Sequence, residues 1–321
     1  MKSKTLTKEI AEDFLYNGVI DVNAYCYITD DAAEVLILYD FSPLELNGIT
    51  SVSDKAASAL AKHSGLKLNG LTTLPDTVAA ALCEETRGSL SLDGLTALSD
   101  FAAEALATRW RSLSLNGLTC LSDAAAESLS KTKNSLSLDG ITALSDFAAE
   151  ALATRWGSLS INSITSLPEK VYAMLGDSKG SLSLDGITAL SDFAAEALAA
   201  RRGSLSLNSI TSLPEKVYAM LGEREGDLSL DGITDLSEFA VWSLARRQGA
   251  LSLNGITALS ILALAVLAQQ KRNLTLNGIS ILSERAAAAL ATHENYLSLK
   301  SVTFKGRARE LLKDALIDID D

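Results

Sequence analysis

The chain has 321 residues, of which 47% are hydrophobic and 21% are charged, so it can bury a large core. Its net charge of -12 argues against nucleic acid and anionic membrane as partners, because phosphate contacts need clustered lysine and arginine. The N-terminal sequence is charged where a secretory signal would be apolar, and no stretch approaches about 18 uncharged apolar residues. We therefore expect a cytoplasmic protein without a membrane span.

The first 19 residues are predicted to form an N-terminal cap. Residues 5–15 have apolar side chains at helical spacing, which predicts an amphipathic helix that covers the open end of the first repeat. A degenerate unit follows, with a strand expected from Ile20 to Asn23 and a helix that ends at Leu36.

Residues 20–296 are predicted to form twelve strand–helix repeats. The phrase Leu-Ser-Leu-Asn/Asp-Gly-Ile/Leu-Thr-x-Leu-Ser-Asp-x-Ala-Ala-x-x-Leu recurs along this range, and nine of the twelve intervals between unit starts are 23 residues long. Units start at Ile20, Leu44, Leu66, Leu90, Leu113, Leu136, Leu159, Leu182, Leu205, Leu228, Leu251, Leu274 and Leu297. This regularity indicates one repeated supersecondary unit.

Within one unit, Leu90 and Leu92 flank Ser91, a period-two pattern that predicts a short half-buried strand. The Asp-Gly pair after the strand is typical of an antiparallel hairpin, but a helical segment follows at once, at about residues 99–108. We therefore predict parallel strands joined by right-handed crossovers, with the sheet on the concave side and short helices on the convex side. Basic residues end the helices, where they suit the helix dipole, at Lys62, Arg109, Arg155 and Arg201.

With Leu-x-Leu-Asn followed by Ala-Ala-x-x-Leu, residues 20–304 resemble short bacterial leucine-rich repeats, with a helical segment like that of the ribonuclease-inhibitor type. The resemblance implies an α/β leucine-rich-repeat solenoid of horseshoe shape. It also implies a protein-binding scaffold without cofactor or catalysis, in which the concave sheet is the commonest binding face. The chain departs from the family in one respect: Asn116 follows Leu115 directly, whereas the family's asparagine comes three places after the strand leucine.

One column of the repeat alternates between carboxylate and amide side chains: Asp93, Asn116, Asp139, Asn162, Asp185, Asn208, Asp231 and Asn254. Carboxylates one strand spacing apart would repel, and alternation with an amide removes that conflict. The column is either a structural ladder at the turn or an exposed acidic stripe.

The first candidate binding surface is a column of serines on the concave face, which we call the serine column: Ser91, Ser114, Ser137, Ser160, Ser183, Ser206, Ser229 and Ser252. These side chains are small and uncharged, and the column contains none of the Trp, Tyr and Arg residues that dominate protein interfaces. A solvated sheet suited to repeat stacking is therefore the alternative to a binding face.

The second candidate surface, which we call the apolar patch, lies on the convex side: Phe239, Trp242, Ile261, Leu262 and Ala265. Residues 260–268 are apolar on every face of their helix, and Ile261 replaces the usual first-turn acid. Trp242 replaces the glutamate found at Glu104, so we expect these groups to face outward and form an interface. A further outward column is expected to be covered by side chains of adjacent helices, with Lys170 and Lys216 stacked over it: Phe101, Phe147, Phe193 and Phe239.

Residues 297–321 are predicted to form a C-terminal cap, with a helix at residues 307–316 and an acidic tail that includes Asp318, Asp320 and Asp321. The tail lacks the glycine and glutamate of a calcium loop. The sequence therefore predicts no metal site there.

The residue types of a catalytic centre are missing from the sequence pattern. His63 and His293 lie near the ends of two distant repeat helices without a second ligand at zinc-site spacing, so both are expected at the surface. Three cysteines at unrelated repeat positions predict reduced thiols: Cys26, Cys83 and Cys120. We therefore predict a non-catalytic protein-interaction scaffold with an unknown protein partner. The alternative is a structural protein that self-associates into a dimer or filament through the apolar patch.

Overall fold

The computed structural model describes residues 4–18, 20–39, 41, 43–84, 88–107, 111–300, 302–312 and 317–318. The chain divides into two compact units, Met1–Ile164 and Thr165–Asp321. Each unit is built from the same strand–helix repeat.

In the first unit, β1 pairs with β2 as a small parallel sheet, and β3 to β7 each pair in parallel with the next strand. Leucine lies opposite leucine in this register, as in Leu90 opposite Leu113. Its elements are β1 (Thr5–Leu6), α1 (Lys8–Asn17), a 3-10 helix (Val22–Ala24), β2 (Tyr27–Ile28), α2 (Asp30–Leu36), β3 (Leu44–Glu45), α3 (Asp54–Leu60), β4 (Gly65–Lys67), α4 (Asp76–Ala81), β5 (Ser89–Ser91), α5 (Asp100–Ala107), β6 (Ser112–Ser114), α6 (Asp123–Ser130), β7 (Ser135–Ser137), α7 (Asp146–Ala153) and β8 (Leu159–Ser160).

In the second unit, β9 to β13 pair in parallel in chain order, β15 extends this sheet from β13, and β17 extends it from β15. A separate parallel pair is formed by β14 and β16. The elements are α8 (Glu169–Asp177), β9 (Leu182–Ser183), α9 (Asp192–Ala199), β10 (Leu205–Ser206), α10 (Glu215–Gly222), β11 (Leu228–Ser229), α11 (Glu238–Leu244), β12 (Leu251–Ser252), α12 (Ile261–Leu267), β13 (Leu274–Thr275), β14 (Ile281–Leu282), α13 (Glu284–Leu290), β15 (Leu297–Ser298), β16 (Thr303–Phe304), α14 (Ala308–Leu311) and β17 (Ile317–Asp318).

The repeat prediction is confirmed at each unit start from Leu44 to Leu297, since each of these leucines lies in a strand. The strands are parallel and a helix follows almost every one, so the Asp-Gly and Asn-Gly pairs do not form hairpins. The strand predicted at Ile20 is wrong. A 3-10 helix forms there instead, because the Asp21 side chain accepts a hydrogen bond from the Asn23 backbone N–H at 3.0 Å.

The core consists of strand leucines and the small residues of the helix face. Leu92, Leu95, Ala102 and Ala103 are fully buried, and burial of each leucine contributes roughly 2 kcal/mol to stability. Alanines on the buried face keep the helices close to the sheet and to each other.

Serine at the N-cap links several of the helices to the preceding helix. The Ser145 hydroxyl accepts from the Ala148 backbone N–H at 3.0 Å and also donates to the Asp123 carboxylate at the start of α6. The acidic residues that open the helices therefore also act as acceptors between repeats, which the sequence pattern did not indicate.

The end segments differ in detail from the prediction. Helix α1 begins at Lys8, because Thr5 and Leu6 pair with β2 as a strand. Helix α14 covers Ala308–Leu311, and residues 313–316 of the predicted helix lie outside the described residues. Asp318 belongs to β17, whereas Asp320 and Asp321 lie outside the described residues. That these segments act as caps stays a prediction.

Candidate binding surfaces

The alternating Asn/Asp column is a hydrogen-bonded ladder. In the first unit, Asp139 Oδ1 accepts from the Asn162 backbone N–H at 3.0 Å and from the Ser160 hydroxyl at 2.6 Å. One repeat earlier, Asn116 Oδ1 accepts from the Asp139 backbone N–H at 2.9 Å. Each side chain thus satisfies a turn donor of the next repeat, so the ladder interpretation holds although the asparagine directly follows the strand leucine.

The second unit shows why carboxylate and amide alternate. Asn208 Nδ2 donates to Asp185 Oδ2 at 3.2 Å, and Asn254 Nδ2 donates to Asp231 Oδ2 at 3.0 Å. An amide can donate to the carboxylate before it and still offer its own oxygen to the next repeat, which a second carboxylate cannot do. A hydrogen bond thus stands where two adjacent carboxylates would repel each other.

The members of the serine column are half-buried: Ser91, Ser114, Ser137, Ser160, Ser183, Ser206, Ser229 and Ser252. Their hydroxyls donate to the ladder, as in Ser91 Oγ, which lies 2.7 Å from Asn69 Oδ1 and 2.8 Å from Asp93 Oδ2. These bonds favour a role in repeat stacking. Partner binding at the serine column stays a prediction.

The ladder makes a testable contribution to stability. We expect Asp139→Ala to lower the free energy of unfolding by about 2 kcal/mol, because the Asn162 N–H and two serine hydroxyls lose their acceptor. Urea unfolding followed by circular dichroism measures this change. The control is Glu127→Ala, which removes an equal charge from an exposed position of the first compact unit. Equal loss of stability in both variants would favour the exposed-stripe interpretation.

The apolar patch lies on α11 and α12, which pack side by side. Its large side chains are 48% exposed at Phe239, 53% at Trp242, 46% at Ile261 and 67% at Leu262. Ala265 is partly exposed. The side chains therefore face outward as the pattern predicts, and Arg246 lies over the Trp242 ring at 4.8 Å from its centroid.

The prediction for the phenylalanine column is wrong. Phe101, Phe147 and Phe193 are 53%, 52% and 54% exposed, so adjacent helices do not cover them. Lys216, expected to stack over this column, forms an ion pair with Glu196 instead.

The fold of this chain is similar to that of solved structures, whereas its sequence matches no known family. No family model matches the sequence, and no curated protein matches it. Internalin InlF from Listeria monocytogenes is similar in fold, with a TM-score of 0.51 and 19% identity over 97% of this chain and 93% of that chain. The yeast Rad7–Elc1 complex is similar over 97% of this chain and 86% of the matched chain, with a TM-score of 0.60 and 16% identity.

The fold is that of a leucine-rich-repeat protein. The parallel strands of each unit, their alternation with short helices and the repeat of about 23 residues all belong to this fold. The leucine-rich-repeat resemblance of the sequence is therefore confirmed at the level of fold class.

Sequence reasoning missed a polar column inside the leucine-rich repeats. Three arginines at the same repeat position are buried: Arg155, Arg201 and Arg247. Arg201 donates from Nη1 to the carbonyl oxygen of Leu175, in the last turn of α8, and from Nη2 to that of Gly180. Burial lowers the pKa of each of the three guanidinium groups to about 10, so they stay charged at neutral pH.

Each of these arginines therefore caps the preceding repeat's helix, not its own. A cation at a helix C-terminus is stabilised by the partial negative charge of the free carbonyl groups there. The prediction that Arg155 and Arg201 interact with a helix dipole is therefore correct. Each arginine interacts with the helix of the preceding repeat, however, and not with its own helix. Arg109 lies outside the described residues.

The two histidines occupy the same repeat position, and the expectation that they lie at the surface is wrong. Both are only 5% exposed. The His63 ring nitrogens lie 2.7 Å from the carbonyl oxygens of Tyr39 and Gly65, and His293 Nδ1 lies 3.1 Å from that of Ala268. At this repeat position histidine therefore takes the place of arginine, and its ring lies within hydrogen-bond distance of a backbone carbonyl of the preceding repeat.

Over the described ranges, no helix is both long and apolar enough to cross a membrane. In the same ranges no cluster of three His, Cys, Asp or Glu side chains could hold a metal ion. The cysteines are free thiols, with Cys83 buried and Cys120 exposed.

Proposed function

We propose that this leucine-rich-repeat chain is a non-catalytic scaffold that binds a protein partner through the apolar patch. The observation that carries the proposal is the outward exposure of Trp242, Ile261 and Leu262 on neighbouring helices. Helix α7 has Asp146 and Glu150 at the positions where α12 has Ile261 and Ala265. An exposed apolar patch in place of charged side chains usually marks an interface.

Two further observations support this proposal. The yeast structure with the same fold was solved as a complex of Rad7 and Elc1, which is an assembly of two proteins. The serine hydroxyls of the sheet donate to ladder oxygens that also accept backbone N–H groups of the next repeat, which suits a structural role for them. We also propose a cytoplasmic location, because an odd number of cysteines at unrelated repeat positions suits reduced thiols.

Self-association is the second candidate function, and the same exposed patch favours it. An apolar surface is complementary to its own copy across a two-fold axis, so a dimer would bury Trp242 and Leu262 of both chains. A head-to-tail contact through the same patch would instead build a filament.

The test replaces Trp242 and Leu262 by glutamate in one variant. We expect binding of a captured partner to weaken by about thirtyfold while the melting temperature stays unchanged, since exposed apolar side chains contribute to binding and little to folding. Phe147→Glu is the matched control, because Phe147 occupies the place of Leu262 in α7 and is 52% exposed.

The measurements are size exclusion with light scattering over a concentration series, and affinity capture with native chain, variant and control. A native dimer that becomes a monomer in the Trp242→Glu/Leu262→Glu variant would establish self-association. A native monomer whose capture of a partner survives in the control and is lost in the variant would establish the scaffold. Equal capture by all three proteins would contradict the proposal.

A further inference from the structure

A groove with basic walls adjoins the apolar patch near the C-terminal ends of α11 and α12. We call it the basic groove: it is lined by Trp242, Arg246, Arg247, Val266, Lys271 and Arg272, among others. Trp242 thus borders both surfaces. Arg247 is buried and bonded to backbone carbonyls, whereas Arg246, Lys271 and Arg272 are exposed.

The local charge is opposite to that of the chain as a whole. The chain carries 40 acidic residues and a net charge of -12, yet residues 239–283 contain four basic residues and no aspartate or glutamate. The Asn/Asp ladder also carries less negative charge in this region. Asn277 follows Asn254 in the ladder, at a place where strict alternation would put an aspartate. A cluster of one sign in an oppositely charged protein attracts a ligand of complementary charge.

The exposed cations of the basic groove have no ion-pair partner among the described residues. Within the described part of the chain, Arg246, Lys271 and Arg272 form no ion pair within 4.0 Å. By contrast, Lys55 lies 3.1 Å from Glu34 and Lys131 lies 3.2 Å from Glu127. These unpaired charges are therefore available to carboxylates from another molecule.

Two contacts hold the basic side chains in place. Arg246 stacks on the Trp242 ring at 4.8 Å from the centroid, and Arg272 Nε donates to the Gln248 carbonyl oxygen at 3.2 Å. The Arg272 bond uses neither terminal nitrogen, so both can donate to one carboxylate in a bidentate pair. Partial ordering before binding lowers the entropic cost of association.

We infer that the apolar patch and the basic groove together bind an acidic amphipathic segment of a partner protein. Its apolar side chains would cover Trp242, Ile261 and Leu262, and its carboxylates would pair with Arg246, Lys271 and Arg272. The inference rests on the proposed function and adds the chemistry of the partner. Nucleic acid fits less well, because its phosphates cannot cover the aliphatic part of the patch and the acidic remainder of the chain repels them.

The experiment selects random peptides of about 12 residues, displayed on phage, on the full chain. Counter-selection on the Trp242→Glu/Leu262→Glu variant removes peptides that do not use the patch. We expect the retained peptides to be richer in aspartate and glutamate than the input library. By fluorescence anisotropy they should bind the Arg246→Gln/Lys271→Gln/Arg272→Gln variant about tenfold more weakly than the native chain.

The matched control is Lys8→Gln/Lys55→Gln/Lys131→Gln, which removes the same net charge from exposed lysines that do not line the basic groove. Binding that falls equally in both triple variants would reflect net charge alone and would overturn the inference. Circular dichroism melting verifies that each variant is folded.

The remaining outcomes separate this inference from the proposed function. Retained peptides that are neutral or basic but still depend on Trp242 would overturn the acidic partner and leave the scaffold standing. Selection that yields no Trp242-dependent peptide would overturn the inference, and the capture experiment would then decide the proposed function. Single-stranded oligothymidylate that binds the native chain more tightly than the peptides, and not the groove variant, would overturn it in favour of nucleic acid.

Discussion

Replacing Arg201 with alanine is expected to lower the free energy of unfolding by about 3 kcal/mol, because one buried and one partly buried carbonyl oxygen and a serine hydroxyl lose a charged donor. Arg201 is only 3% exposed, and its guanidinium group connects its own repeat with the end of α8. Loss of the side chain also leaves a gap between the two repeats. The effect on stability is therefore large for a single arginine.

The adjacent Arg202 provides the control, since it is exposed. Arg202→Ala is expected to change the free energy of unfolding by less than about 0.5 kcal/mol. Arg201→Lys should fall between the two, because an ammonium group keeps the charge but lacks the planar fork that reaches both carbonyl groups. Urea unfolding of the three variants measures the difference, and equal stability of Arg201→Ala and Arg202→Ala would contradict the capping role.

Replacing Gly140 with alanine is expected to destabilise the fold by about 3 kcal/mol, because the added methyl group has no room. An alanine Cβ at this position would lie 2.1 Å from the backbone carbonyl oxygen of Asn116 in the preceding repeat. The φ angle of Gly140 is not positive, so the cause is close approach of two turns and not backbone strain. A backbone atom cannot move aside as a flexible side chain would.

Ser163 supplies the matched control, since it occupies the same repeat position one unit later. Its hydroxyl donates to the carbonyl oxygen of Asp139, so the local backbone there already accommodates a Cβ atom. Ser163→Ala is expected to cost only about 1 kcal/mol, the value of one hydrogen bond. Thermal unfolding of both variants tests the steric argument, which equal destabilisation of Gly140→Ala and Ser163→Ala would refute.

Much of the fold was predictable because the repeat is local in sequence. The period-two leucines, the immediately following helical segment and the spacing of 23 residues determine where each strand starts and that the strands are parallel. The outward direction of Trp242, Ile261 and Leu262 was predictable for the same reason, since helical periodicity places each residue on a face. The identity of a partner is not encoded in such a pattern.

The buried polar column was not predictable by the same reasoning. His63 and His293 follow the ends of their helices, where polar residues are normally solvated. Their acceptors are backbone carbonyl groups, which every residue carries and no sequence pattern distinguishes. The exposure of Phe147 was predicted wrongly, because whether side chains of the neighbouring helices cover its ring depends on how those helices pack.

By itself, then, the sequence determined the repeat, most of the strand and helix positions, the parallel connection and the outward apolar patch. Each of these depends on the order of side chains within one unit. Only the tertiary structure decided that the Asn/Asp column is a ladder, that Arg201 caps the helix of the preceding repeat, and that Trp242 borders a basic groove. Those features depend on distances between atoms of different repeats, and these distances are set by how the repeats stack.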